Sequence, residues 1–352
     1  MNNRENQLRA WRFEGPERVP VSYGLWGSAM IEENYDQKRL WELIDAYPVI
    51  AEGKWRPDSY PVRFHPISTV GERYVDPWGC VWMTAEEGAT GQVVESPLAD
   101  WAAFDDFTPP TADDNDGRRE VDWQDMKAKA EQQRARGELV RGALPHGHTF
   151  LRLCDLRGYE NLLCDMMMEE PKLDELVEMN RAFNLSVVEK MLGMRPDVMA
   201  YPEDLGMQIG PMLSPDQFRK YIVPSYKSLM TPARDAGVLV HMHSDGDIRT
   251  LFDDLVECGV QVINCQEDAV TLEWLKAEVK GRVAIDLSLS ARLFAKGEPQ
   301  EIRDYIRRCV EELSMPEGGL SFGGQLAPGV PWENIEAIFE TLQEVHDTPI
   351  ND

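Results

Sequence analysis

The chain has 352 residues and carries 36 Lys and Arg against 62 Asp and Glu, a formal net charge of −26. That charge excludes general binding to nucleic acid or to an anionic membrane, since phosphate surfaces need a cationic footprint, and copies repel one another unless a specific interface such as a homodimer's forms. At roughly 150 residues per domain the length fits two domains or one elaborated α/β barrel, and a chain this long buries a core without staples.

No apolar run approaches the ~18–20 residues of a membrane span. The opening MNNRENQLRAWRFEG lacks the apolar stretch of a secretion signal. Both observations predict a cytoplasmic protein. The cysteines at 80, 154, 164, 258, 265 and 309 show no CxxC spacing and read as reduced thiols. Those at 154, 164, 258 and 309 fall in helical patterns and are expected in the core. Histidine is scarce, six in all, yet four lie in two His-x-His pairs, His146/His148 and His241/His243.

Along the chain, ENQLRAWRF (5–13) has helical periodicity, and GPERVPVSYG reads as a strand entered through Pro16 and Pro20. Residues 28–54 read as a helix with Leu40, Trp41, Leu43 and Ile44 as its apolar stripe. Short alternating runs over 61–96 suggest an inserted hairpin. An acidic, Pro-interrupted surface segment follows to about 120, with a short helix near 97–104. Trp26, Trp55, Trp78 and Trp82 supply aromatic packing, or walls for a flat ligand.

The second half alternates regularly. ELVRGAL (138–144) reads as a strand and TFLRLCDLRGYENLLCDMMMEEP as one helix. A long amphipathic helix covers 171–194, then a strand enters the carboxylate loop PEDLG. Ser214 and Pro215 open the next helix as N-cap and first residue. GVLVHMHSDG, VQVINCQE, RVAIDLS and GGLSFGGQ read as further strands separated by helices. Strands near 18, 60, 140, 200, 240, 263, 285 and 322 make eight, joined by short Gly-marked connections. This is βαβ grammar, and it predicts an α/β fold of the (β/α)8 TIM-barrel type with N-terminal additions and an insertion at about 61–120. A doubly wound open sheet is second; no GxGxxG or P-loop follows any strand.

In such a barrel the active site lies at the C-terminal strand ends, here Pro145–His148, Glu203–Asp204, His241–Asp245, Cys265–Glu267, Asp286 and Gly323–Gln325. His241 and His243 are two apart on one strand and so share a face. Converging imidazoles suit a metal, usually zinc, or a hydrogen-bonded substrate pocket. Cys265 and Glu267 repeat that spacing on the next strand. Gly147 makes a tight loop of His146 and His148, which suits substrate contact. Glu203 and Asp204 suit a metal ligand, a proton acceptor or a loop cap. Asp286, in an otherwise apolar strand, needs a partner.

These residues carry a resemblance. YPEDLGMQIGPMLSPDQF, with Glu203, Asp204 and Gln208, resembles the D-D-x-G-x-Q … S-P-x-x-F segment of the uroporphyrinogen decarboxylase superfamily. VHMHSDG, RVAIDLS, PGVPWENIEAIFETL, RENQLRAWRFEGPERVPV and VDPWGCVW are similar to further segments of it. The resemblance covers nearly the whole chain and implies a barrel with additions.

The superfamily holds cofactor-free tetrapyrrole decarboxylases and cobamide-dependent methyltransferases, the latter including methylcobamide:coenzyme M methyltransferases and O-demethylase components. The decarboxylases' early R-Q-A-G-R and F-S-D-I motifs are absent here. In the methyltransferases the strand matching His241-Met242-His243 binds zinc. His241 matches the histidine ligand, His243 stands where a cysteine belongs, and Gly324 stands where a second belongs.

The resemblance therefore implies zinc held by His241 and His243 and completed from Glu203, Asp245, Cys265 or Glu267. Glu203, Asp204 and Asp286 are the expected catalytic residues; His146, His148, Gln208 and Gln325 are expected to contact substrate. The implied reaction moves a methyl group between a methylated small molecule and a corrinoid (cobalamin) carried by a partner protein. A decarboxylase, or a binding protein that has lost catalysis, is the alternative.

Overall fold

The computed structural model describes residues 1–25, 27–51 and 62–350. Its main sheet has seven strands: β1 (Val21–Leu25), β2 (Arg141–Ala143), β3 (Val198–Pro202), β4 (Leu239–Ser244), β5 (Val262–Cys265), β6 (Ala284–Leu287) and β7 (Leu320–Leu326). They are hydrogen-bonded in the order β1-β7-β6-β5-β4-β3-β2. The pairs β2/β3, β3/β4, β6/β7 and β1/β7 are parallel. All four residues of β6, and all but His243 in β4, are buried, as expected of parallel strands covered on both faces. The fold is α/β. Seven of the eight expected strands are present; the expected strand near 60, like Trp26 and Trp55, lies outside the described residues.

The chain forms two compact units. One comprises Met1–Glu72, Met83–Gly91 and Asn264–Asp352, and the other Arg73–Trp82 and Gln92–Ile263. In the first, β6, β7 and β1 pair in turn, and the helix Pro299–Leu313 opens with a capping box between Glu298 and Glu301. In the second, β2, β3 and β4 pair in turn, and the helix Pro171–Leu192 buries Leu173, Leu176, Phe183, Val187, Val188 and Met191. No helix among the described residues is long and apolar enough to cross a membrane.

Local chemistry explains where the structure departs from the sequence reading. The single helix expected after His148 is two, Phe150–Arg157 and Tyr159–Met168, broken at Gly158 with φ 82°, a conformation that costs little only for glycine. The helix expected over 28–54 is broken among the described residues into a 3-10 turn at Gly27–Met30, then Gln37–Ala46, capped by Asp36, and Pro48–Ala51; residues 52–54 lie outside them. The helix starting at Pro215, capped by Ser214 as expected, has a wide π turn over Phe218–Ile222 just before Pro224. Proline offers no N–H and crowds the preceding turn, so the widened turn accommodates it.

A helix at Trp123–Ala135, capped by Asp122, was not legible. Only Ala130 on it is buried, so it has no apolar stripe to read. The short helix expected near 97–104 is a 3-10 turn at Trp101–Asp106. The inserted hairpin is three short strands, Tyr74–Val75, Val81–Met83 and Gln92–Glu95. All six cysteines are free, and Cys80, Cys258, Cys265 and Cys309 are buried. Cys164, expected in the core, is exposed; on its helix the face at Leu162, Asp165 and Met166 is the buried one.

Candidate active site

Strand register decides which polar residues meet. Pro202 on β3 pairs with His243 on β4, and Ala200 pairs with His241. Ala143 on β2 pairs with Ala200. Asp204, just past β3, and His146, three residues past β2, therefore come level with His243. His241 lies one residue pair, roughly 6–7 Å, further back along β4.

The result is a cluster of His146, Asp204 and His243, in which one ligand atom from each lies within 4.8 Å of the others. Asp204 Oδ1 is 3.2 Å from His146 Nε2 and 3.7 Å from His243 Nε2. Asp245 Oδ1 stands 3.5 Å from His243 Nε2, and its backbone N–H donates to Asp204 Oδ1 at 3.1 Å. The two imidazole side chains are 41% and 26% exposed, so the cluster is open to a ligand. Burial pulls the His146 pKa down, but the hydrogen bond and charge of Asp204 outweigh it and hold the ring above its usual value. Burial likewise opposes ionisation of Asp204, and His146 and the Asp245 N–H overcome it, holding its carboxyl below the usual range. Burial raises the Asp245 carboxyl. Two imidazoles and a carboxylate are a donor set that fits zinc with a position left for substrate.

Glu203 and His148 sit behind this cluster. Glu203 is wholly buried. Its Oε1 accepts the N–H groups of Thr149 and Leu151, each at 2.9 Å, and its Oε2 accepts the Tyr226 hydroxyl. Thr149 makes no side-chain cap at the start of the helix Phe150–Arg157, so Glu203 supplies the missing acceptor from another strand. Burial pushes the Glu203 carboxyl up to about 7 against those three donors. His148 Nδ1 lies 2.7 Å from Thr149 Oγ1 with the ring packed against Tyr201 and Tyr226. Burial, reinforced by the charge of His146, pushes its pKa down to about 3.

The remaining sequence-proposed residues are placed as follows. His241 is buried in β4 and is not in the three-residue cluster. Gln208 is exposed at the tip of a hairpin between Gly206–Met207 and Gly210–Pro211. The others lie in the first unit. Asp286 is buried and accepts the Ser321 hydroxyl at 2.6 Å, while Ser321 accepts the Trp11 indole N–H at 2.9 Å. Glu267 opens a short helix and accepts the Tyr305 hydroxyl at 3.0 Å. Cys265 is wholly buried, and burial raises its thiol to about 12. Gln325 is exposed on β7. Sequence reasoning passed over Tyr226 and Asp155, which stand on helices where nothing in the local pattern marks them.

Comparison with known proteins adds the following. Residues 150–345 match the uroporphyrinogen decarboxylase (URO-D) family. Two uroporphyrinogen decarboxylases, from two strains of Thermus thermophilus, are each 30% identical to it over 139 residues, and the match spans 38% of this chain and 38% of theirs. A methyltransferase from Methanosarcina mazei shares the fold over 98% of this chain and 99% of its own, with a TM-score of 0.65 at 14% identity.

Proposed function

The chain belongs to the uroporphyrinogen decarboxylase family, and within that family we propose that it is a metal-assisted methyltransferase. It moves a methyl group between a methylated small molecule and a corrinoid carried by a partner protein. The observation that carries this reading is the convergence of His146, Asp204 and His243 within 4.8 Å. A cofactor-free decarboxylase has no use for such a donor set. The strand order, in which β1 pairs with β7, supports reading the fold as a (β/α)8 barrel with additions.

Zinc held by these three residues would supply a Lewis acid that polarises the oxygen or nitrogen from which the methyl group departs. The chain's own residues prepare that site. Asp204 is fixed between His146 and the Asp245 N–H, so the carboxylate is set before a ligand arrives. Glu203, bonded to Thr149, Leu151 and Tyr226, anchors the loop that carries His146. His148, kept neutral by burial, fills the space behind that loop without adding charge.

The test is methylation of cob(I)alamin, followed by absorbance, with a panel of methoxylated and N-methylated compounds and with zinc supplied. Turnover abolished by chelator and by His243→Ala is the expected result. The second reading, a decarboxylase, is favoured by the two Thermus relatives. Conversion of uroporphyrinogen to coproporphyrinogen, unaffected by chelator and by His243→Ala, would establish that reading and overturn the first.

A further inference from the structure

The second unit holds three arginines largely withdrawn from water, and two are fully matched. Arg152 donates to Asp76 at 2.6 Å and to the Gly117 carbonyl at 2.9 Å. Arg157 donates to Asp165 at 2.8 Å and to the Leu98 carbonyl. Arg118 differs. Its Nε is buried without a hydrogen-bond partner among the described residues, and none of the described carboxylates pairs with its guanidinium.

The group is nonetheless held firmly. Its Cζ lies 4.6 Å from the centroid of the Trp82 ring, and Trp82 is pinned by a 2.9 Å bond from its Nε1 to Asp76. The Arg118 N–H donates to Asp116 Oδ1 at 2.8 Å, and its carbonyl accepts the Tyr74 hydroxyl at 2.8 Å. Asp76 is occupied four times over, by the N–H groups of Trp78 and Cys80, by Trp82 and by Arg152, so it has no lone pair to spare for Arg118. A preorganised, poorly hydrated and unmatched cation is expensive in isolation.

Its chain neighbour Gly117 is tied by Arg152 to the helix Phe150–Arg157, which starts four residues after His146 and whose N-terminus Glu203 closes. Arg118 is near enough to His146 for its charge to oppose protonation of that ring. Asp155, on the helix Phe150–Arg157, has its Oδ2 3.9 Å from Arg152 Nη1 and senses the charges of Arg118 and His146 alike. Asp155 Oδ2 is also buried without a hydrogen-bond partner among the described residues.

We propose that Arg118, held over the Trp82 ring, is the receptor for a carboxylate on the small-molecule ligand, whose other end lies at His146, Asp204 and His243. A guanidinium held over an indole face by cation–π attraction still has its N–H donors to give, and two of them side by side match the two oxygens of a carboxylate. Asp155 beside it repels a dianion such as a phosphate ester, so the preferred ligand is a monoanion. The inference rests on the methyltransferase reading only for which end of the ligand reacts.

The experiment is calorimetric titration of the whole protein, without zinc or corrinoid, with methoxyacetate, 4-methoxybenzoate, their methyl esters and phenyl phosphate. At least one acid should bind about tenfold more tightly than its ester and than phenyl phosphate. Arg118→Met should bring that acid to the affinity of its ester, and Arg118→Lys, which keeps the charge but not the fork, should fall between. Melting curves for both variants establish that they fold; if Arg118→Met does not, the Lys variant and the acid-against-ester comparison in the native protein carry the test. Acids and esters binding alike, no binding by either acid, or unchanged affinity in the Arg118 variants would overturn the proposal. The titration reads no turnover, so acid binding through Arg118 together with no methylation in the cob(I)alamin assay would sink the methyltransferase reading and leave this one standing.

Discussion

Glu203 closes the N-terminus of a helix that belongs to a different strand–helix unit: its Oε1 accepts the Leu151 N–H at 2.9 Å. With the Thr149 N–H and the Tyr226 hydroxyl, the carboxylate is fully engaged. This binds the β3 loop to the β2 loop and so sets the distance between Asp204 and His146.

Glu203→Ala should therefore act on stability before chemistry. It leaves two backbone donors and a hydroxyl buried without an acceptor, at a cost of about 2–4 kcal/mol. Glu203→Gln keeps an oxygen toward Thr149 and Leu151 and should cost about 1 kcal/mol or less. Urea melts of the two variants check this; equal losses would show that the capping bonds do not matter.

The metal prediction separates two histidines of one strand. Elemental analysis of protein purified without a histidine tag should find about one zinc per chain, reflecting one four-coordinate site. His146→Ala, His243→Ala and Asp204→Ala should each lose it with little change in the melting temperature of metal-free protein, because these side chains are partly exposed. His241→Ala should retain the metal and be the less stable protein, since His241 is buried. Metal lost in His241→Ala but kept in His146→Ala would reverse the assignment.

Asp286 relies on a neighbour without a side chain. A Cβ at Gly323 would lie 2.9 Å from both Asp286 carboxylate oxygens, close enough to displace them from Ser321. Gly323→Ala should cost about 1–3 kcal/mol. Ser321→Ala should lower stability by a similar amount, because it removes at once the acceptor of the Trp11 N–H and a donor to Asp286. Thermal denaturation of both checks this, and a neutral Gly323→Ala would show that the strands adjust freely.

Asp155 predicts a pH dependence of stability. Burial raises its carboxyl to about 6 even though Arg152 and Arg118 work in the opposite direction. Between an ordinary carboxylate pKa near ~4 and about 6, the folded protein binds a proton that the unfolded chain has released. Its contribution to stability is thus fully present below the lower value and is lost as pH rises through the upper one, an effect of about 3 kcal/mol at most. Stability measured from pH 4 to 7.5 should fall less steeply in Asp155→Asn than in the native protein; parallel curves would contradict the prediction.

The sequence by itself determined the alternation of strands and helices, because that order is written in local apolar periods, in residues such as Ser214 and Pro215 that start helices and in the glycines that mark their connections. It also placed polar residues at strand ends, His243 and Asp204 among them. Side-chain alternation assigned His241 and His243 to one face, and for that reason the two seemed the natural pair. What alternation cannot convey is depth along the strand. The tertiary structure decided that through register: pairing of Pro202 with His243 and Ala143 with Ala200 brings His146 and Asp204 to the level of His243 and leaves His241 a residue pair behind. The contact of Arg118 with Trp82 had no local signal either, for the two lie 36 positions apart and meet where Asp76 bonds the indole and Tyr74 bonds the Arg118 carbonyl. Local periodicity is a property of neighbours in the chain, whereas a site of this kind is made by hydrogen-bond registers between segments that are distant in it.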